Sequence, residues 1–177
     1  MADKIELEIV TPKGRALAET VDEVTAPSVQ GEFGVLPGHL PMVAALRPGI
    51  VSYRIGNDTK KVAVGAGFAE AGQNKCLILA DDFAAREGMD PVPIRKELAD
   101  LQPKLEKILS ATEMTTELEA EKKAIIEKEN WLAAQLELHG DPPTATMRPF
   151  EEWGPPPTPI TEEEEGKPTS DLPHGSP

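Results

Sequence analysis

Enzymes of this length normally declare their chemistry as a nucleophile beside a base, a cluster of metal ligands or a phosphate-binding loop. The three histidines, His39, His139 and His174, fall in three separate regions of the chain. No His-x-x-x-His pair and no second cysteine accompanies them, so zinc finds no recognisable ligand set. Cys76 lies in the apolar run Cys76-Leu77-Ile78-Leu79, where a thiol reads as a small buried side chain rather than as a nucleophile. Gly65-Ala66-Gly67-Phe68 is rich in glycine, but no Gly-Lys-Ser or Gly-Lys-Thr follows it, so a Walker-type phosphate cradle is missing. Its glycines instead mark a bend or a close approach between strands.

One loop holds polar groups on an unusual support: Gly31-Glu32-Phe33-Gly34-Val35-Leu36-Pro37-Gly38-His39-Leu40-Pro41. Gly31, Gly34 and Gly38 permit backbone angles that a Cβ resists, while Pro37 and Pro41 stiffen the chain around His39. A loop of this kind suits docking, because Glu32 and His39 would meet a partner with little ordering cost. The residues alone leave a second reading open, a tight corner between strands whose polar groups only face water.

Two kinds of element must position that loop. Up to residue 84 the chain reads as short strands separated by turns. Ile5, Leu7 and Ile9 alternate with Glu6 and Glu8, and Thr11-Pro12-Lys13-Gly14 then turns the chain. Residues 21–26, 49–55, 59–64 and 75–79 are strand-like, with Gly56-Asn57-Asp58 as a hairpin signal between two of them. Strands so short and so closely spaced predict a mainly β fold, an antiparallel sandwich or flattened barrel. The period changes near residue 85. Ile94, Leu98, Leu101, Leu105 and Ile108 fall on one stripe of a helix, with Pro103 expected to kink or split it. Met114, Leu118, Ile125, Leu132 and Leu136 form a second stripe, with Ser110 and Glu113 spaced as a capping box at its start. The expected architecture is a sandwich domain (1–86), a two-helix hairpin (87–139) and a tail (140–177).

The net charge of −13 divides as −3 over residues 1–84, −4 over 85–139 and −6 over the last 38 residues. An acidic chain without a basic stripe repels phosphate backbones and anionic lipid, which argues against nucleic-acid binding or direct membrane binding. The opening Met-Ala-Asp-Lys-Ile lacks the apolar run of a secretion signal, and the lone cysteine suits a reducing compartment. No window approaches the roughly 18 apolar residues of a membrane span, so attachment to a membrane has to go through a partner protein. From Gly140 onward ten prolines and the run Glu162 to Glu165 predict a disordered acidic tail. Phe150 and Trp153 read either as anchors for a partner or as isolated aromatics in coil.

Five ordered blocks carry a resemblance. They are Val21-Asp22-Glu23-Val24-Thr25-Ala26-Pro27, the loop Gly31 to Pro41, Leu46-Arg47-Pro48-Gly49, Gly65-Ala66-Gly67-Phe68-Ala69-Glu70 and Leu77-Ile78-Leu79-Ala80-Asp81. In this order they resemble the epsilon subunit of bacterial F-type ATP synthases, over about residues 3–139.

The resemblance implies a non-catalytic rotor subunit of a proton-translocating complex, without a cofactor of its own. It would sit peripherally at the cytoplasmic face of the bacterial inner membrane. The sandwich would join the gamma subunit to the c-ring, with ring contact at Glu32 and His39 and, beside them, Gly38 and Pro41. The hairpin would fold beside the sandwich or extend along gamma toward the catalytic beta and alpha subunits, where it opposes ATP hydrolysis. Two departures qualify that picture. The ATP-binding motif of some bacterial members is disrupted here: Asp90 is followed by Arg95 at the wrong spacing, and by Lys96 in place of alanine. The second helix is acidic, with Lys122, Lys123 and Lys128 as its only bases, so restraint of hydrolysis is expected to be weak or to rely on Arg95, Lys96, Lys104 and Lys107 of the first helix. From a different class, a free-standing β-sandwich binding module with an acidic recruiting tail also fits the residues.

Overall fold

The computed structural model describes residues 3–143. The expected tail, with Phe150 and Trp153, lies outside the described residues from 144 onward. Ten strands come first: β1 (Ile5–Thr11), β2 (Gly14–Val21), β3 (Glu23–Ser28), β4 (Gly31–Val35), β5 (Met42–Leu46), β6 (Gly49–Ile55), β7 (Asp58–Val64), β8 (Gly67–Gly72), β9 (Lys75–Ala80) and β10 (Phe83–Ala84). Two helices follow, α1 (Pro91–Leu109) and α2 (Thr116–His139). The strands are hydrogen-bonded in the order β10-β7-β6-β3-β5-β8-β9-β1-β2, with β4 added to β3. All described pairings are antiparallel except β1 with β9. Strand β3 is the corner, pairing β6 through Glu23–Thr25 and β5 at Ser28.

The alternation expected for β1 is realised: Ile5, Leu7 and Ile9 are buried with Val24, Val35, Val51, Val64, Cys76 and Ile78 in the sandwich core. Gly56 closes the β6–β7 hairpin with φ +62°, and Arg54 to Asp58 reverse the chain in register. At the β8 start a Cβ on Gly67 would lie 1.9 Å from the Leu79 carbonyl oxygen. This is the close strand approach expected of that glycine-rich segment.

The hairpin departs from expectation in three details. Helix α1 is not split at Pro103 but continues from Pro91 to Leu109. Pro103 deprives the Ala99 carbonyl of its donor, but both residues lie on the exposed side, where water can replace the bond, while Ile94, Leu101, Leu105 and Ile108 hold the opposite side in place. Ser110 ends α1 rather than starting α2, its N–H bonding the Glu106 carbonyl at 3.0 Å. The cap of α2 is Thr115, whose hydroxyl accepts from the Leu118 N–H at 3.3 Å, so Met114 stays outside the helix and exposed.

Helix α2 buries two stripes. Ile125, Leu132 and Leu136 meet α1, while Ala134 and Leu138, with Trp131, meet Ile50, Ala63 and Ala84 of the sandwich. At about 100° per residue these stripes lie roughly 150° apart, which is why α2 lacks a single amphipathic face. Gly140, with φ +98°, then stops the helix, and the Asp141 N–H reaches back to the Leu136 carbonyl at 2.9 Å.

Candidate docking site

The stiff loop is built around one turn. Pro37 and Gly38 occupy its two central positions, Gly38 has φ +81°, and the His39 N–H donates to the Leu36 carbonyl at 3.1 Å. That combination makes a type II turn, whose third residue requires a positive φ. A second tie fixes the turn from outside, because the Gly38 N–H donates to the Gln73 carbonyl in the β8–β9 turn at 2.6 Å. A third is internal: His39 Nδ1 lies 2.7 Å from the Leu40 carbonyl oxygen. Pro41 leads directly into β5.

Glu32 stands exposed on β4, opposite Pro27 of β3. The β3–β4 turn before it is closed by Ser28, whose hydroxyl donates to the Gly31 carbonyl at 2.6 Å and accepts from the Gln30 N–H at 3.1 Å. Gly31 takes φ +126°, but Gly34 pairs with Thr25 as an ordinary strand residue without a positive φ. Two of the three glycines thus have the conformational role expected of them.

A surface that sequence reasoning missed lies on the outer side of β5, β8, β9 and β1. In register across these strands stand Ala45, Phe68, Leu79 and Val10, with Phe68 59% and Leu79 48% exposed. Val43, 72% exposed, adjoins the row. Glu70 and the Arg15–Glu8 pair at 3.8 Å give it a charged margin. The row joins residues from four strands, so no local pattern in the sequence announces it. On the other side of the sandwich the outer faces of β6 and β7 are covered by α2.

The hairpin residues singled out by sequence are scattered. Asp90 caps α1, accepting from the Val92 N–H at 3.0 Å ahead of Pro91. Arg95 pairs with Asp141, and Lys128 pairs with Glu97 at 2.5 Å. Lys96, Lys104, Lys107 and Lys123 are exposed, and Lys122 is half-buried. Between hairpin and sandwich lies a cleft of about 520 Å³ bearing Asp81, Asp82, Glu97 and Glu127 around Lys128. An anionic nucleotide would meet like charge there.

Two further groups are explained by their surroundings. Lys4, the Gly56 N–H at 2.7 Å and Arg54 converge on Asp22. The hydrogen bond from Lys4, then that from Gly56, hold its carboxyl below the ordinary carboxylate range, against an opposing effect of burial. Cys76 is fully buried, and desolvation pushes its thiol up to about 11. Among the described residues no group of His, Cys, Asp and Glu could hold a metal ion, and no helix is long and apolar enough to cross a membrane.

Residues 4–86 match the family model described as ATP synthase, Delta/Epsilon chain, beta-sandwich domain. Among curated relatives, ATP synthase epsilon chain 2 of Syntrophotalea carbinolica is 37% identical over 63% of this chain and 80% of its own length. The ATP synthase epsilon chain of Syntrophobacter fumaroxidans is 46% identical over 56% of this chain and 72% of its own. In a cryo-EM structure of the Euglena gracilis mitochondrial ATP synthase, covering OSCP, F1 and c-ring, one chain shares the fold. It has a TM-score of 0.61 and 23% identity, and the match covers 77% of this chain and 83% of that one.

Proposed function

Since this chain belongs to the ATP synthase epsilon-chain family, whose members are subunits of the central stalk, we propose that it performs no bond chemistry and joins gamma to the c-ring of a proton-translocating F-type synthase. The observation that carries the reading is the unequal treatment of the two outer faces of the sandwich. One is covered by α2, while the other presents the Phe68–Leu79 row to solvent beside a rigid loop. An apolar row rimmed by charge is the usual form of a protein-docking surface. Gamma occupies that row, and the ring contacts Glu32, Gly38, His39 and Pro41. Rotation of the ring then passes to gamma through a body whose loops are already ordered.

We divide the chain at 86/87 into this docking sandwich and a regulatory hairpin. The hairpin restrains ATP hydrolysis weakly, by reaching beta and alpha through the exposed Lys96, Lys104 and Lys107 of α1, with Lys122 and Lys123 of α2 in support. Arg95 and Lys128 are already paired, so their use there requires breaking a contact first. The whole sits at the cytoplasmic face of a bacterial plasma membrane, held by the complex.

Co-purification tests the reading. With the other synthase subunits present the chain should form a complex containing gamma. A chain that stays a monomer and ignores gamma refutes it.

A further inference from the structure

We propose that the ring-docking loop grips its partner through Leu36 and Leu40, and that His39 is a positioning residue whose ring fixes the backbone that carries Leu40. The proposal rests on the ring-docking reading above and deepens it. Leu40 is 80% exposed and Leu36 is 53% exposed. Single exposed aliphatics are ordinary on protein surfaces. These two, however, flank a turn that is locked by Pro37, by Gly38 in the left-handed region and by the His39-to-Leu36 bond.

The backbone at Leu40 is fixed from both sides. Pro41 confines Leu40 to extended backbone. The Leu40 carbonyl lies 2.7 Å from His39 Nδ1, and because a carbonyl only accepts, Nδ1 carries the proton and donates. The ring of His39 is therefore committed to its own loop through this nitrogen, and the loop is braced again by the Gly38 bond to Gln73. A loop whose backbone is ordered before contact gives up only the rotamer freedom of the two leucines on burial, so most of the transfer of their surface out of water counts toward affinity. Glu32 is exposed and solvated, and a charge of that kind at a rim steers association more than it strengthens the complex. The matching partner is a ring-subunit surface that sets an apolar shoulder against Leu36 and Leu40, beside hydrogen-bond donors for Glu32.

The test is titration of the purified chain onto synthase complexes stripped of it, alongside titration onto isolated gamma. Leu40→Ala should weaken binding to the complex about tenfold and leave the affinity for gamma alone unchanged. Leu40 lies outside the core, so its replacement does not endanger the fold. Glu32→Gln should change the affinity less than about threefold. His39→Asn places an amide nitrogen where Nδ1 stood and should bind like the unaltered chain. His39→Gln places its amide nearer the position of Nε2 and should be weakened as Leu40→Ala is. Unchanged binding by Leu40→Ala, or equal behaviour of the Asn and Gln variants, overturns the proposal. A distinct result, in which the unaltered chain binds the complex no better than isolated gamma, overturns the ring-docking reading itself.

Discussion

Replacing Phe68 and Leu79 together by alanine removes the centre of the surface assigned to gamma. The two residues are directly paired between β8 and β9 and stand 59% and 48% exposed. Full burial of a side chain of this size contributes about 1.5–3 kcal/mol. Roughly half of that remains to be gained at an interface, so the pair should account for roughly 1.5–3 kcal/mol, or about 10- to 150-fold in Kd. Neither residue belongs to the sandwich core, so the melting temperature should move by only about 2–4 °C. Calorimetric titration with purified gamma reads both the affinity and the heat-capacity change, which should become less negative as apolar burial is lost. A double variant that keeps its fold and binds gamma within about threefold of the unaltered chain would falsify the assignment of gamma to this face.

Three other outcomes follow from the same geometry. Gly67→Ala drives a Cβ to 1.9 Å from the Leu79 carbonyl and 2.9 Å from the Ala80 Cα, both backbone of the paired strand. Stability in urea should therefore fall by about 3 kcal/mol or more, whereas Gly72→Ala, which meets nothing within 4 Å, should cost less than about 1 kcal/mol; similar losses for the two would contradict the close approach. Asp22 titrates lower in the folded chain than in the unfolded one, so the unfolded state takes up its proton first as the solution is acidified. The contribution of Asp22 is present above the ordinary carboxylate value and disappears as pH falls below it toward the folded value. Denaturation of Asp22→Asn should thus depend less on pH in that acid window than denaturation of the unaltered chain, and parallel curves would count against the contacts of Lys4, Gly56 and Arg54 with Asp22. Cys76, with its thiol pushed up to about 11 by burial, should resist a disulfide exchange reagent near pH 8 until the protein unfolds, and native labelling as fast as in denaturant would show that the site is open.

What could be read from sequence is what neighbouring residues decide. The β6–β7 hairpin was legible because Gly56-Asn57-Asp58 specifies a turn between two regular runs. The stiff loop was legible because Pro37-Gly38 specifies its own conformation. Strand β2 was not, since Arg15, Ala18, Glu19 and Thr20 are all exposed and its place is defined only by register on β1. The start of α2 was misplaced because Ser110 and Glu113 satisfy the spacing of a capping box, yet Ser110 is already engaged in closing α1. The inner stripe of α2 was visible as Ile125, Leu132 and Leu136. The other, Trp131, Ala134 and Leu138, was hidden because a helix apolar on two sides has no dominant period. Of the docking surfaces, the loop is contiguous in sequence and so could be seen. The Phe68–Leu79 row is assembled by strand pairing and could not.

The two outer faces of the sandwich also differ in the strength of contact each needs. Helix α2 belongs to the same chain as the strands and is returned to them by its pairing with α1, so its effective concentration at Ile50, Ala63 and Ala84 is high. A contact through Trp131, Ala134 and Leu138 therefore suffices, even with carboxylates lining the cleft beside it. A separate subunit such as gamma, proposed for the other face, loses translational and rotational freedom on binding, so it would require a wider apolar surface that is ordered in advance. Four paired strands supply that surface, and the ties of Gly38 to Gln73 and of Glu6 to the Asn74 carbonyl at 2.8 Å lock the β8–β9 turn at its edge to both the docking loop and β1. Under the proposed assignment, torque entering at the loop would reach the gamma face through backbone hydrogen bonds rather than through flexible side chains, which is the mechanical property a coupling subunit requires.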